Sequence, residues 1–407
     1  MQKRWLSVIA YSTALVLLVG ACTTGGGGGA STAKTIKIMS SLPMTGASRT
    51  QTVEIVNSIQ MAIADSPIKN VTVNFEALDD ATAAKGSWDA AQEAINARKA
   101  IDDKSVVAYI GTYNSGAAKV SIPLLNQAGL VMVSPANTYP GLTKPGKGEA
   151  NEPGTYFPNG KRNYARVVPA DDLQGAVGAT WAKSLGATKV YIVHDNQLYG
   201  KGIADVFRAK AKELGLTESG YEGADKADNY RALANKIKSS GADFVYYGGI
   251  VDNNPAVLLK DIRSVIPGMK FMGPDGINCS EFLKQAGPAA DATVYSTFGG
   301  VPPEKYTGKA SDWLKAYNAK YSNNNPNPYA IYGYEAAKVV LAAIAAAGDK
   351  ADDRATVLAN VMGTKNYSGV LGTWSFDANG DTTLTQFSGS NAVNGSWAFV
   401  KELAVGQ

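Results

Sequence analysis

The chain has 407 residues, 45% of them hydrophobic, with 39 basic against 35 acidic side chains, two cysteines and a single histidine. A nearly neutral balance without basic clusters leaves no electrostatic footprint for nucleic acid, and one histidine supports neither a Ser-His-Asp triad nor a His-rich metal site. The length exceeds what one hydrophobic core serves, so two domains are predicted.

Lys3 and Arg4 precede an uncharged, largely apolar stretch from Trp5 to Ala21. That stretch is shorter than the roughly 20 residues of a comfortable membrane span and ends in small residues, so 1–21 reads as an export signal. Val19-Gly20-Ala21-Cys22 resembles a bacterial lipobox, which implies lipidation of Cys22 and anchorage to the bacterial cell membrane on its extracytoplasmic side, in the periplasm or at the cell surface. Residues 22–33 are mostly Gly, Thr and Ser, have no side chains for a core, and read as a flexible tether. Loss of Lys3 and Arg4 with the signal leaves 37 basic residues against 35 acidic ones, a net of +2 that points to no partner. With Cys22 used, Cys279 stands alone and no intramolecular disulfide can form.

The body alternates short β-branched or aromatic runs with amphipathic helical stretches, the pattern of parallel sheets covered on both faces. The first series predicts strand Thr35–Met39, helix Thr52–Asp65, strand Val71–Leu78, helix Ser87–Ile101, strand Val106–Ile110, helix Gly116–Ala128 and strand Leu130–Val133. A Pro-, Gly- and Asn-rich loop runs from Asn137 to Asn163, longer than ordinary connections. A second series then predicts strand Val190–Val193, helices Gly202–Leu214 and Tyr230–Ser239, strand Asp243–Tyr247, helix Pro255–Val265 and strand Lys270–Met272. Strand Thr293–Phe298, helices Lys309–Tyr321 and Tyr329–Ala347, and a β-rich tail with Gly372–Phe376 and Trp397–Val400 complete the prediction. The fold class is α/β, with two doubly wound parallel-sheet lobes.

In such sheets ligands bind beyond the carboxyl ends of strands, where helix N-termini carry partial positive charge. Strand Val106–Ile110 leads into Gly111-Thr112-Tyr113-Asn114-Ser115-Gly116, a hydroxyl and backbone N–H groups at a helix start, suited to an anion such as a carboxylate. Strand Leu130–Val133 leads into Ser134-Pro135-Ala136-Asn137-Thr138, and strand Lys270–Met272 into Gly273-Pro274-Asp275-Gly276, where a carboxylate can meet an ammonium. By themselves Ser115 also fits a helix cap and Asp275 a turn.

Val131-Met132-Val133-Ser134-Pro135, Ile192-Val193-His194-Asp195-Asn196-Gln197-Leu198-Tyr199-Gly200, Asp243-Phe244-Val245-Tyr246-Tyr247-Gly248-Gly249 and Phe271-Met272-Gly273-Pro274-Asp275-Gly276 occur in an order that resembles leucine/isoleucine/valine-binding proteins of ATP-driven transporters, over nearly the whole mature chain. The resemblance implies the type I periplasmic binding protein fold, a Venus flytrap of two lobes joined by three crossovers, near Ala170, Phe298 and Thr373. The N-terminal lobe would then be 34–170 plus 299–373, and the C-terminal lobe 171–298 plus 374–407. It further implies that Ser115 and Thr138 hold a ligand carboxylate, that Ala136 or Asn137 supplies backbone groups, that Asp275 meets the ammonium, and that Tyr199 enters the cleft from the second lobe. Gln51 stands nearest the position where the family often has an aromatic residue over the ligand side chain, with Arg49 close by, and Ile250 or Val251 replaces a cleft tyrosine. Asn114 stands where the family has a disulfide cysteine.

The implied function is a non-enzymatic, extracytoplasmic solute-binding lipoprotein of an ABC transporter. It would act as a monomer, without cofactor or metal, and pass an amino acid of branched-chain or related type to permease and ATPase subunits. Two alternatives share the fold: a sensing lipoprotein that regulates a receptor or cell-wall enzyme, and a binder of amides or small organic acids. The Asn137–Asn163 insertion would cap the cleft or merely decorate it. Asp377-Ala378-Asn379-Gly380-Asp381 reads as a hairpin turn because a calcium loop would need Gly at its sixth position and Glu at its twelfth. His194 reads as structural, Cys279 as inert, and the Ala-rich helix Ala336–Ala347 as packed rather than membrane-spanning.

Overall fold

The structure is a computed structural model that describes residues 33–323 and 326–405. The export signal, Cys22 and the tether as far as Thr32 lie outside the described residues. The chain begins with β1 (Lys34–Leu42), α1 (Arg49–Ala64), β2 (Val71–Asp79), a small hairpin of β3 (Ala81–Thr82) and β4 (Ser87–Trp88), α2 (Ala90–Asp102), β5 (Val106–Gly111), α3 (Ser115–Gln127), β6 (Val131–Ser134) and β7 (Tyr164–Arg166). It continues with α4 (Asp171–Ser184), β8 (Lys189–His194), α5 (Leu198–Glu213), β9 (Thr217–Gly223), α6 (Arg231–Ser240), β10 (Phe244–Gly248), α7 (Pro255–Val265), β11 (Lys270–Gly273), α8 (Ser280–Ala286) and β12 (Val294–Gly299). The last elements are α9 (Gly308–Tyr321), α10 (Tyr329–Ala347), α11 (Arg354–Met362), β13 (Tyr367–Gly369), β14 (Gly372–Trp374), β15 (Phe387–Val393) and β16 (Ser396–Leu403).

Two sheets organise these elements, in the orders β2-β1-β5-β6-β7 and β16-β15-β12-β11-β10-β8-β9. The first is parallel throughout; in the second, β15 and β16 add an antiparallel edge to five parallel strands. Central strands such as Val106–Gly111 are buried along their whole length, as parallel strands covered on both faces must be. The parallel part of each sheet reverses its winding once, between β1 and β5 in the first and between β8 and β10 in the second, and at such points the loops splay apart to form a crevice. Helix α10 is long and apolar enough to cross a membrane by length and composition, yet most of its apolar residues are buried in the core of the first lobe.

The sequence pattern overlooks α4, β9, α11 and β15 for physical reasons. Strand β9, Thr-Glu-Ser-Gly-Tyr-Glu-Gly, is a polar sheet edge with no buried residue, and α4 carries Gly175 and Gly178 inside its helix. Helix α2 starts later than Ser87 because Asp89 caps it, accepting hydrogen bonds from the N–H groups of Ala91 and Gln92.

Three passages of chain connect the sheets: β7 to α4, β12 to α9, and a third that lies later than the expected Thr373. Trp374 and Phe376 are buried in the first lobe's core, where the Trp374 indole donates to Glu335. The segment at 380–382 then pairs with Arg166 at the end of β7. The chain reaches the second sheet only at β15, so 374–382 belongs to the first lobe and not, as expected, to the second. The turn reading of 377–381 matches the observed closure, in which Asp377 accepts from the backbone N–H groups of Asn379 and Asp381.

Arg166 fixes this region. Its guanidinium has no solvent exposure and donates to Asp381 (2.6 Å), to the carbonyls of Asn137 (3.3 Å) and Tyr139 (2.8 Å), and to the Thr143 hydroxyl. Burial alone would raise the Asp381 carboxyl, but the Arg166 charge and hydrogen bond outweigh it and hold the group below its ordinary value. The Asn137–Asn163 insertion is thereby pinned at its root, and beyond it Lys144 pairs with Asp172 of α4 at 2.7 Å. The Tyr139 ring packs so closely on Gly202 of α5 that a Cβ there would lie 2.6 Å from it. The insertion therefore does more than decorate: it ties the first lobe to two helices of the second.

Replacement of Asp381 by alanine leaves Arg166 buried without its carboxylate and should destabilise the protein by about 3–5 kcal/mol, read as a lowered midpoint in chemical denaturation. A loss below about 1 kcal/mol would mean that Arg166 finds water.

Candidate functional site

The switch points of the two sheets face one another and enclose a small cavity lined by Tyr113, Asn114, Ser115, Ala136, Thr138 and Tyr329 from one lobe and Tyr199, Ile250, Asp275 and Gly276 from the other. Its volume is about 20 Å³, room for about one water. Larger hollows of about 360 Å³ beside the crossovers and about 450 Å³ between α1 and α8 are present. The second borders the starts of α1 and α8, the unpaired Tyr317 hydroxyl and the part-buried Glu54, whereas the small cavity is the one that brings Ser115, Thr138 and Asp275 together.

On the first-lobe side, Ser115 opens α3 and its hydroxyl accepts from the N–H of Tyr139 at 3.3 Å, which leaves its proton free to donate. Thr138 is buried and its hydroxyl has no partner. The loop carrying Ala136 and Thr138 is held by Ser134, whose hydroxyl accepts from the N–H groups of Ala136 (3.1 Å) and Asn137 (2.8 Å). Asn137 does not line the cavity: its amide donates to the Tyr113 carbonyl (2.9 Å) and accepts from the Tyr164 hydroxyl (3.2 Å), so it braces one strand-end loop against the other.

On the second-lobe side, Asp275 is buried and accepts from Gln174 Nε2 at 2.7 Å, from the Tyr199 hydroxyl at 2.8 Å and from the Tyr329 hydroxyl. All three donors are neutral, and no Lys or Arg lines the cavity. Burial raises the Asp275 carboxyl above its ordinary value, although those three hydrogen bonds oppose the rise. Asp195 joins the two loops beneath it, accepting from the N–H groups of Gln197 (3.0 Å) and Ile250 (3.1 Å) and from Asn253 (2.8 Å). Close approach requires glycine here: a Cβ on Gly200 would stand 2.1 Å from Asp195, and one on Gly276 would stand 2.4 Å from the Gly249 carbonyl.

Gln51 is one layer removed from the cavity, where its Oε1 accepts from the Tyr113 hydroxyl at 2.6 Å, and Arg49 lines the hollow between α1 and α8 instead. Gln51, read from the sequence as nearest to the position over a ligand side chain, thus stands behind Tyr113, and Tyr113 and Tyr329 line the cavity there, their rings edge to face at 5.6 Å. Ile250 lines the cavity and Val251 does not. His194 is a buried strand-end residue whose Nδ1 accepts from the Asn196 N–H, and burial pushes the Cys279 thiol up to about 12. Among the described residues no cluster of His, Cys, Asp or Glu is arranged to hold a metal.

Sequence reasoning missed several groups. Asp171, the first residue of α4, is fully buried with both carboxylate oxygens unpaired, and burial together with the nearby Asp275 charge pushes its pKa well up. The Thr138 hydroxyl stands near enough to oppose that rise without reaching full hydrogen-bond geometry. Acids in a first helical turn ordinarily serve the helix dipole, which hides such a residue in a sequence; Gln174 one turn later was the available signal. Asp252 was missed too. Its carboxylate crosses from the second lobe to the start of α1 and accepts from the N–H groups of Ala47 (2.9 Å) and Ser48 (3.2 Å) and from the Ser48 hydroxyl.

The fold and this site are those of a two-lobed solute-binding protein. The chain belongs to the periplasmic binding protein family, whose model matches residues 35–388. Among its relatives is a Leu/Ile/Val-binding protein homolog from Brucella abortus, 29% identical over 85% of this chain and 87% of the relative. A leucine-binding protein from Thermotoga maritima superposes with a TM-score of 0.79 at 26% identity, covering 90% of this chain and 98% of that one. A branched-chain amino acid transporter substrate-binding protein from Streptococcus pneumoniae, solved with isoleucine, gives 0.76 at 25% identity, covering 90% and 100%. These relatives are binding proteins rather than enzymes, and the family is extracytoplasmic.

Two buried acids set a pH dependence. Burial raises Asp195 to about 6 and Glu93, buried against β1 and β5, to about 7. Folded pKa values above the unfolded ones mean that the native state holds extra protons, so this contribution is complete at low pH and lost as pH rises through those values. The ligand-free protein should lose on the order of a few kcal/mol between about pH 5 and about pH 8, seen as a falling thermal midpoint, and Glu93→Gln should flatten the slope. A midpoint that rises over that range would contradict the burial of these acids.

Proposed function

We propose that this chain captures an α-amino acid between its lobes and hands it to the permease of an ATP-driven transporter. The observation that carries the reading is Asp275, a buried carboxylate served only by neutral donors and set across a small cavity from the N-terminus of α3. An α-amino acid answers both sides. Its carboxylate fits the partial positive charge of α3 with the Ser115 and Thr138 hydroxyls, and its ammonium supplies the counter-charge that Asp275 lacks. The Brucella, Thermotoga and Streptococcus relatives support the same class of solute.

A zwitterion held in this way touches both lobes at once and so favours the closed arrangement over the open one, the differential contact that closure needs. The side-chain wall of Tyr113, Tyr329, Ile250 and Asn114 contains no cation, which argues against an acidic side chain. Lipid on Cys22 would keep the receptor beside the permease, and the Gly-rich tether would let it reorient there, as a monomer without cofactor.

The test is a thermal-shift panel of amino acids, amides and small organic acids on the mature chain. At 100 times its dissociation constant a true ligand stabilises by about 2.7 kcal/mol, enough to raise the midpoint by several degrees. At least one α-amino acid should do so, and Asp275→Ala should abolish the shift. Amides or carboxylic acids acting where no amino acid does would refute the proposed ligand class.

A further inference from the structure

Asn114 is the cavity residue whose chemistry the amino-acid head group leaves unused. It occupies the N-cap of α3, where an Asn side chain ordinarily accepts from first-turn N–H groups, and it makes no such bond. Its Oδ1 is buried without a donor, while the residue lines the cavity together with Tyr113, Tyr329 and Ile250. An unpaired buried amide oxygen costs about 1–3 kcal/mol, so a native structure that keeps one beside a binding cavity calls for a reason. On the amino-acid reading, Ser115 and Thr138 answer the solute's carboxylate and Asp275 its ammonium.

What remains at the side-chain wall is an acceptor, with no Lys or Arg beside it. We infer that Asn114 reads the solute's side chain, its Oδ1 accepting a hydrogen bond from a hydroxyl or amide N–H, so that the solute is a small polar α-amino acid rather than a purely aliphatic one. This rests on the α-amino-acid reading of the same cavity. The Tyr113 and Tyr329 rings bound the side-chain wall, and the buried oxygen sets the polarity. A site built around such a bond discriminates strongly against a solute of equal shape that lacks the donor, because binding then seals the acceptor away from water unpaired.

The experiment uses two shape-matched pairs, L-threonine with L-valine and L-asparagine with L-leucine, titrated calorimetrically into the mature chain and into Asn114→Leu. In at least one pair the polar member should bind roughly ten- to a hundredfold more tightly, and Asn114→Leu should erase that gap by weakening the polar member alone. Asn114→Ala, which adds no bulk, repeats the comparison should leucine disturb the start of α3, and ligand-free thermal midpoints report whether each variant folds. Equal or tighter binding of the aliphatic member in both pairs overturns the inference, as does a gap that survives both substitutions. Binding by none of the four overturns it too; the wider amino-acid panel then shows whether the parent reading falls with it.

Discussion

A carboxylate buried without a cation is the constraint around which this molecule is arranged. Asp275 lies beyond the end of β11, removed from water, and its charge is shared among two phenols and one amide instead of a lysine or arginine. Neutral hydrogen bonds lessen the cost of burying a charge but do not cancel it, so the site favours whatever brings positive charge to it. Asp171, with neither oxygen paired, adds to the same deficit from the adjoining helix. The opposite wall has the reverse character, a helix N-terminus and hydroxyls with no acid of their own. The two lobes thus present halves of one electrostatic pattern.

Closure in this structure is held by contacts that cross between the lobes. Tyr329 reaches Asp275, Asp252 accepts from the N–H groups of Ala47 and Ser48 just before α1, and Lys144 of the insertion meets Asp172. These bonds account for a cavity only large enough for a water, well below the roughly 300 Å³ at which small-molecule pockets begin. Entry of a solute therefore requires the lobes to part, and its affinity reflects what it adds to the closed form beyond these existing ties. The Asp252 contact is peptide N–H to carboxylate and independent of any ligand, which makes it part of the reference against which the solute acts.

Much of this architecture was legible in the sequence because parallel sheets buried on both faces demand long apolar runs, and those runs stand out in Val106–Gly111 and Phe244–Gly248. The strand ends carrying Ser115, Thr138 and Asp275 could be read for the same reason, since the winding of such sheets decides where loops converge. Other features were invisible because their chemistry depends on partners far away in the chain. Asp171 looks like an ordinary helix-start acid until its burial is known, and Tyr329 looks like packing until its hydroxyl is seen on Asp275. Gln51 was near the right place yet one layer too deep, and the third crossover was placed too early because nothing local marks Trp374 as a residue of the first lobe. The insertion showed its length but not Lys144's reach to Asp172.

The central claim, that Asp275 awaits an ammonium, is tested most directly by calorimetric comparison of a bound α-amino acid with its α-hydroxy counterpart, which keeps the carboxylate and side chain and replaces the ammonium by a hydroxyl. The account predicts that affinity falls by about a hundredfold or more, since the buried acid is then closed over without counter-charge. Affinities within about threefold of one another would contradict it and would show that the cavity recognises its solute through the carboxylate and side chain alone.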